Sequence, residues 1–339
     1  MKHTDTVQTF NEGFDEIVTD LKSAILRDYD MCTSPHISLI KFSENLICLL
    51  EDGGNSDSEK KVLRVCRPGY HDEEELVNEL FWVTEIQKNT DINTARVYKG
   101  RNGKLIQQFT SASGNSYFYS IQSYISGNTI KDMDGESMLR GMELVGYTAA
   151  KLHSMEEKNP HSQIEFKRFS WDVEDTLGES ARWGNFEIFE GLLKEEMNML
   201  KDCSVKIKDK LNKYGRKNDR YGLIHADLHT ENLIIDEERI SLIDFDDCGY
   251  GWYLYDLASA VSQQSENINE LIKGYLRGYE RIRILSKQDM EMIDTFVLLR
   301  RLVRLGWMTT RKDNGVISQD GCVYARKTLE MAKKYINQD

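Results

Sequence analysis

Strand-like and helical segments are segregated along this 339-residue chain, and that order most constrains its fold. Apolar alternation and β-branched runs predict strands at 36–42, 45–51, 61–67, 95–100, 104–109 and 116–127. Helical spacing predicts helices at 8–26, 72–88, 136–155, 186–213 and over most of the chain from 255. One β-like stretch, 222–246, interrupts the helical part. The segregation predicts an α+β protein with two lobes, 1–126 and 127–339.

Composition narrows the range of functions. A net charge of −12 disfavours nucleic acid as a partner, because phosphate backbones bind basic surfaces, and it is compatible with a cationic small molecule. No apolar run is long enough to span a bilayer, and the N-terminus lacks the pattern of a secretory signal. The six cysteines show no CxxC pairing. We therefore expect reduced thiols in a cytoplasmic protein that binds neither nucleic acid nor membrane.

Two strand-like runs late in the chain point to a metal site. The runs 232–236 and 240–244 flank the polar link Glu237-Glu238-Arg239, which predicts a hairpin. In the expected register Asn232 lies opposite Asp244, with Cβ atoms about 5 Å apart. Amide and carboxylate oxygens so placed suit Mg²⁺. The link lacks a turn glycine, and a slip of one residue would send the two groups to opposite faces.

A second pattern lies just upstream. His225, Asp227 and Asn232 form H-x-D-x-x-x-x-N, and D-x-D at 244–246 and Y-D-L-A at 255–258 follow. This order resembles the catalytic loop of protein kinases and, more closely, that of the aminoglycoside phosphotransferase and choline kinase family. The resemblance implies a bilobal protein-kinase-like fold, with an N-terminal antiparallel sheet carrying one main helix and a larger, mostly helical C-terminal lobe. It also implies a kinase that moves the γ-phosphate of ATP or GTP to a small-molecule hydroxyl with the help of Mg²⁺.

The resemblance also assigns roles to residues. Asp227 corresponds to the base that accepts the proton of the substrate hydroxyl, and Asn232 and Asp244 correspond to the ligands of Mg²⁺. Asp246 is a weaker candidate for a second ligand, because protein kinases carry glycine at that position. His225 is expected to brace the catalytic loop, as is the aspartate of the Y-D-L-A segment.

The first third of the chain is expected to bind the nucleotide. Arg64 stands on the third strand where the family has a lysine. Glu79 lies on the inward side of helix 72–88, where an unpaired carboxylate would be costly, so we expect it to pair with Arg64. Arg67 is a rival for that role. An arginine in place of the lysine leaves open whether the ATP contact is kept.

Two further nucleotide contacts rest on the resemblance. The polar link between the first two strands, which contains Ser43, lacks the glycines of a kinase loop but is in position to cap phosphates with its N–H groups. An ordinary hairpin turn is the alternative there. The segment 122–125, which includes Tyr124, corresponds to the linker whose backbone contacts the adenine base.

Other functions remain open from the sequence alone. His225, Asp227 and His229 spell H-x-D-x-H, a pattern that can bind Zn²⁺ for hydrolysis. A pseudokinase that binds nucleotide without turnover is another hypothesis, because Arg64 replaces the usual lysine. A protein kinase is disfavoured, since the A-P-E motif is absent after Asp244. The acceptor is left open among aminoglycosides, amino alcohols such as choline or homoserine, sugars and protein hydroxyls.

Overall fold

The structure is a computed structural model that describes residues 13–31, 35–42, 44–52, 59–129, 135–159, 166–236, 239–263, 267–311 and 315–337. The described chain forms two compact units. The N-terminal unit contains the described residues from 13 to 128 together with Ile234–Ile243, and the C-terminal unit contains the described residues of Thr129–Leu233 and of the chain from Asp244 onward.

The elements follow the expected order. The first part contains α1 (Phe14–Asp28), β1 (Pro35–Phe42), β2 (Leu46–Asp52), β3 (Lys61–Val65), α2 (Glu73–Asn89), β4 (Asn93–Thr94), β5 (Val97–Tyr98), β6 (Gln107–Thr110), β7 (Ser116–Ser123) and β8 (Asn128–Thr129). The rest contains α3 (Gly135–Lys158), α4 (Val173–Leu177), α5 (Lys194–Tyr214), β9 (Tyr221–Ile224), β10 (Leu233–Asp236), β11 (Arg239–Leu242), β12 (Gly249–Trp252), α6 (Tyr253–Val261), α7 (Ile268–Tyr279), α8 (Lys287–Thr309) and α9 (Gly315–Ile336). This segregation confirms the α+β class.

An antiparallel sheet in the order β1-β2-β3-β7-β5 is the frame of the N-terminal unit. Helix α1 packs the apolar stripe Ile17, Leu21 and Ile25 against residues of this sheet. It extends two residues beyond the predicted end, to Asp28, whose carboxylate accepts the hydroxyl of Tyr119 at 2.6 Å. The predicted residues 8–12 lie outside the described part of the chain.

Helix α2 begins where the sequence predicts. The side chain of Asp72 accepts the N–H of Glu75 at 2.9 Å, and the side chain of Glu75 accepts the N–H of Asp72 at 3.2 Å. This reciprocal cap satisfies donors that a helix start leaves open. The predicted stripe Leu76, Leu80 and Val83 is buried, and so is Glu79.

Two strand predictions in this unit are wrong in detail. The predicted strand 95–100 is reduced to the two residues of β5, and both β5 and β6 pair with β7 rather than with each other. The predicted strand 116–127 ends at Ser123. A turn in which Gly103 donates to the carbonyl of Gly100 at 2.8 Å places both short strands along the same edge of β7.

The predicted hairpin exists, but its members differ from the prediction. Strand β11 lies between β10 and β4, and it pairs in parallel with β4, where the Asn93 amide donates to the Ser241 hydroxyl at 2.6 Å. Arg239 belongs to β11, which shortens the link to residues 237 and 238, both outside the described part. Asn232 belongs to a 3-10 turn, Thr230–Asn232, and not to a strand. The predicted strand pairing of Asn232 with Asp244 is therefore wrong.

Helices dominate the C-terminal unit. Helices α3 and α7 approach closely at two glycines. A Cβ added to Gly278 would lie 1.8 Å from the Glu143 carbonyl oxygen, and one added to Gly146 would lie 2.0 Å from the Tyr275 carbonyl oxygen. Glycine is thus required at both crossings. None of the helices in the described ranges combines the length and apolar character needed to cross a bilayer.

Two local predictions fail in this unit. The helix predicted from 186 begins at Lys194, after a 3-10 turn over Phe186–Ile188. Gly191 has a φ of +100°, which interrupts any helix from 186. The Glu196 side chain accepts the N–H of Leu193 at 2.8 Å and caps a new helix that begins at Lys194. Strand β12, which pairs antiparallel with β9, was not predicted.

Candidate active site

The loop after β9 is held by a buried carboxylate. Asp256, in α6 and fully buried, accepts the backbone N–H of His225 at 3.2 Å and that of Ala226 at 2.7 Å. Ala226 has a φ of +64°, a strained conformation for a residue with a Cβ. The two hydrogen bonds stabilise this conformation. They confirm the expected bracing role of the Y-D-L-A aspartate.

A buried histidine supports the same carboxylate. His153 donates from Nε2 to Asp256 at 3.0 Å, accepts the Tyr279 hydroxyl on Nδ1 at 2.9 Å, and stacks on Tyr253 with ring centroids 4.4 Å apart. Burial lowers the pKa of His153, and this outweighs the opposing effect of the Asp256 charge. The lowered pKa favours the neutral imidazole in the folded protein, with its hydrogen on Nε2 toward Asp256.

This burial predicts acid sensitivity. The pKa of His153 in the folded protein lies below its unfolded value near 6.5. Between these two pH values the unfolded chain therefore binds a proton that the folded protein does not bind. Stability should then be full above about pH 6.5 and fall below it, by at most about 1.4 kcal/mol per pH unit from this group. Urea unfolding of the wild type and His153→Gln between pH 8 and 5.5 measures the difference. The exposed control His36→Gln should retain the wild-type slope, and an equal slope in His153→Gln would disprove the assignment.

Asp227 lies in this loop and is bound by groups of the C-terminal unit. Arg300, on α8, donates from Nη2 to Oδ1 at 2.8 Å, and His229 donates from Nε2 to Oδ2 at 3.1 Å. The Asn232 amide donates to Oδ2 at 3.3 Å and to the Asp227 carbonyl at 2.9 Å. The Asp227 side chain remains 22% exposed. Within the described chain Oδ1 therefore carries one donor and Oδ2 carries two.

These neighbours keep Asp227 ionised. Burial alone would raise the pKa of Asp227, but the charges and hydrogen bonds of His229 and Arg300 hold it well below its usual range. Burial likewise tends to lower the pKa of His229, and the Asp227 carboxylate reverses this and raises it. The N–H of Glu231 donates to His229 Nδ1 at 3.2 Å, so the neutral ring carries its hydrogen on Nε2.

The candidate metal ligands follow from the same contacts. Asn232 points its amide nitrogen at two acceptors of Asp227, so its oxygen is the end that is left for a cation. Asp244 is exposed, with a φ of +63°, just beyond the end of β11, and Asp246 is buried. The Arg168 side chain donates to the carbonyl of Asp246 at 2.6 Å, which fixes this turn. Amide and carboxylate oxygens are a donor set that suits Mg²⁺.

His225 connects the loop of Asp227 with the D-x-D turn at 244–246. Its ring is fully buried and lies 4.8 Å from the ring of Phe245, the residue between the two aspartates of D-x-D. The contact sets the loop that carries Asp227 beside the turn that carries Asp244. Within the described ranges no group of three or more His, Cys, Asp or Glu side chains is arranged to hold a metal ion, so H-x-D-x-H forms no zinc cluster there.

The predicted ion pair of the N-terminal unit is present. Arg64 donates from Nη1 to Glu79 Oε1 at 2.5 Å and from Nη2 to Oε2 at 3.4 Å, with both side chains buried. The rival, Arg67, instead pairs with Glu44 at 3.2 Å and stacks on Tyr70. The role of the Arg64–Glu79 pair toward nucleotide remains a prediction.

Breaking this pair should destabilise the protein strongly. Arg64→Ala leaves the Glu79 carboxylate buried without its main counter-ion, at an expected cost of about 3–5 kcal/mol. Arg64→Lys keeps the charge but loses the forked geometry, so its cost should be smaller. Urea unfolding gives the difference. Arg96→Ala, which removes an exposed pair with Glu59, is the matched control and should cost less than about 1 kcal/mol; a similar loss for both variants would contradict the buried-pair account.

The two remaining nucleotide predictions have different outcomes. Ser43 lies outside the described residues. Tyr124 follows β7, is 44% exposed, and donates its backbone N–H to the Lys60 carbonyl at 3.3 Å. That N–H is therefore already hydrogen-bonded to the neighbouring strand segment. Contact between the segment 122–125 and the adenine base remains a prediction, and it would have to use other backbone groups of the segment.

Two partners of Asp227, His229 and Arg300, were not predicted as such by the sequence, which offered His229 only as a zinc ligand. His229 had a local signal, since it is the last member of H-x-D-x-H. Arg300 lies 73 positions from Asp227 in the chain, on a helix whose R-R-L-V-R-L spacing gives no hint of its partner. Only the packing of α8 against the loop brings the two together.

Comparisons with known proteins identify a family for this chain. The sequence profile of the phosphotransferase enzyme family matches residues 43–290. Amicoumacin kinase of Bacillus subtilis (strain 168) is 22% identical over 296 residues, which cover 82% of this chain and 84% of that protein.

Solved structures give the same picture. A microcompartment-associated aminopropanol kinase superposes with a TM-score of 0.84 at 31% identity, over 94% of this chain and 97% of that one. An amicoumacin kinase in complex with AMP-PNP and Ca²⁺ superposes with a TM-score of 0.74 at 20% identity, over 94% of each chain. These likenesses confirm the expected protein-kinase-like fold.

Proposed function

We propose that this chain, which belongs to the phosphotransferase enzyme family, transfers the γ-phosphate of ATP or GTP to a hydroxyl group of a small molecule with Asp227 as the base. The family makes it a phosphotransferase with an alcohol group as acceptor, a small-molecule kinase. The observation that carries the proposal is the fixed, ionised Asp227 carboxylate, bound by Arg300 and His229 and still partly exposed.

Asp227 is proposed to receive the acceptor hydroxyl on Oδ1. That oxygen accepts one hydrogen bond within the described chain, whereas Oδ2 accepts two, so Oδ1 is the better acceptor for a third donor. As the hydroxyl oxygen bonds to the γ-phosphorus, the bond from this phosphorus to the leaving oxygen of the nucleotide breaks, and the hydroxyl proton passes to Oδ1. A weakly basic carboxylate suffices, because little proton transfer is needed until late in a loose transition state.

The metal part of the proposal rests on the donor set described above. Asn232 and Asp244, with Asp246 as a further candidate, would hold Mg²⁺, which neutralises phosphate charge when it is bound. His225 and Asp256 are proposed to hold the loop of Asp227 and the D-x-D turn in position through buried contacts, without taking part in proton transfer. The nucleotide is proposed to bind with the help of the Arg64–Glu79 pair. A cytoplasmic location is supported by five cysteines of the described ranges, all of which are free.

The acceptor proposal draws on the relatives. Their names include an aminopropanol kinase and an amicoumacin kinase, so we propose a small hydroxyl compound that carries an amino group. A cationic amine also agrees with the net charge of −12.

The test is a screen for phosphate transfer. Purified protein with Mg²⁺ and γ-labelled ATP or GTP is offered amino alcohols, hydroxy amino acids and aminoglycosides, and label in the acceptor is measured. We expect transfer to at least one class and none by Asp244→Asn, whose thermal unfolding should stay near that of wild type because Asp244 is exposed. The exposed control Asp219→Asn should be active. Tight nucleotide binding with no labelled acceptor would favour the pseudokinase hypothesis instead.

A further inference from the structure

Helix α8 carries three neighbouring arginines that differ in how their charges are satisfied. Arg301 is fully buried and donates to Thr328 Oγ1, the Ser262 carbonyl and the Tyr324 carbonyl, all within 3.0 Å. Arg304, one turn after Arg300, has no hydrogen bond and no acidic partner among the residues that the structure describes, and its Nε is buried. Arg301 therefore has a structural role that Arg304 lacks.

Arg300 has an unused donor as well. Its side chain is 4% exposed and uses Nη2 on Asp227, while Nη1 is buried and forms no well-aligned hydrogen bond in the described chain, although the Tyr255 hydroxyl and the charge of Asp247 act on the same guanidinium. A buried guanidinium nitrogen without an acceptor is costly, and such costs are usually met by a ligand or by water. The rings of Tyr324 and Trp307, with centroids 5.4 and 5.9 Å from Arg304, offset only part of that cost.

Arg300 and Arg304 lie on the same side of α8, and Arg300 contacts the Asp227 oxygen that is proposed to receive the acceptor hydroxyl. Residues four apart on a helix share a face, so Arg304 lies about 6 Å along α8 from Arg300, whose Nη2 is bound to Asp227 Oδ1. Burial and the charge of Arg300 lower the pKa of Arg304, and the charges of Asp227 and Glu231, which oppose this shift, show that both carboxylates are near Arg304. A ligand with a hydroxyl at Oδ1 and an anionic group a few bonds away would meet both arginines.

We propose that Arg304 and Nη1 of Arg300 bind a carboxylate of the acceptor, so that the preferred acceptor is a hydroxy amino acid and not a plain amino alcohol. The inference rests on the proposed function. A planar carboxylate matches the forked donors of arginine, and it carries a single charge. A doubly charged phosphate would meet stronger repulsion from Asp227 and Glu231. The acceptor amine fits the same acidic surroundings.

Two matched pairs of compounds test the inference. Threonine differs from 1-amino-2-propanol, and homoserine from 3-amino-1-propanol, only by a carboxylate on the carbon that bears the amine. We expect kcat/KM for at least one acid to exceed that of its partner by about tenfold or more, because a charge-assisted hydrogen bond contributes about 1.4 kcal/mol or more.

Variants of Arg304 locate the effect. Arg304→Gln should lower kcat/KM for the acid by about 10- to 100-fold and change that of the amino alcohol less than about threefold. Arg304→Lys keeps the charge, so its kcat/KM for the acid should lie between the values of wild type and Arg304→Gln. This variant also tests the inference if Arg304→Gln does not fold. Arg277→Gln, which alters an exposed arginine of α7, is the control and should match wild type.

The remaining outcomes overturn the inference in distinguishable ways. Turnover of the amino alcohols without turnover of the acids, or equal losses for both in Arg304→Gln, would show that no carboxylate is bound there. Inhibition by inorganic phosphate that exceeds inhibition by acetate and disappears in Arg304→Gln would assign the arginines to phosphate. Transfer to none of these four compounds, with transfer to another class in the wider screen, would overturn the inference alone, and absence of transfer throughout that screen would reject the proposed function as well.

Discussion

Replacing Asp227 with asparagine is expected to lower kcat by a factor of about 10²–10⁴, the usual contribution of a positioned acid or base. The amide cannot accept the hydroxyl proton, and it no longer matches the charge of Arg300. The apparent KM for nucleotide should change little, because Asp227 is proposed to contact only the acceptor. Initial rates of labelled phosphate transfer under saturating nucleotide measure the effect.

Two controls separate chemistry from folding in this variant. Asp227→Asn leaves a buried arginine without its carboxylate, so its unfolding curve must be compared with wild type under the assay conditions. Asp219→Asn changes an exposed aspartate of the same unit and should leave kcat unchanged. A folded Asp227→Asn enzyme with a kcat within a factor of about three of wild type would rule out Asp227 as the base.

A large loss of stability is expected from Asp256→Ala. The change removes the acceptor for two backbone N–H groups and for His153 in a site with no exposure, and each unsatisfied buried donor costs about 1–3 kcal/mol. We expect a total of about 3–5 kcal/mol in urea unfolding, with partial loss in Asp256→Asn, which keeps one oxygen. Activity should fall as well, since Ala226 is then no longer held at a positive φ.

An exposed aspartate provides the comparison. Asp209→Ala on α5 removes a surface pair with Lys213 and should cost less than about 1 kcal/mol. If Asp256→Ala cost no more than Asp209→Ala, Asp256 could not be the group that holds the loop.

The features that the sequence predicts well depend on periodicity. Helix α2 was predicted because an acidic first turn precedes an apolar stripe, and the inward position of Glu79 followed from the same spacing. The partner, Arg64, followed from the cost of an unpaired buried carboxylate. Both steps use local rules, which a single sequence contains.

The predictions that failed concern features that depend on tertiary packing or on glycine residues. Strand β12 contains two glycines and has little strand character of its own, yet it pairs with β9 across a loop of the chain. Asn232 was placed on a strand by its apolar neighbours, but His229 caps a 3-10 turn that ends at Asn232. The contact of Arg300 with Asp227 was not predicted, because only the packing of α8 decides which charges this arginine meets.

The central claim is that Asp227 directs the acceptor hydroxyl in a direct attack on the γ-phosphorus. The most direct measurement uses an acceptor labelled with oxygen-18 in its hydroxyl and ATP made chiral at the γ-phosphorus with oxygen isotopes. We expect the label to be kept in the bridging oxygen of the product, with inversion at phosphorus. Retention at phosphorus, or loss of the label, would contradict the account.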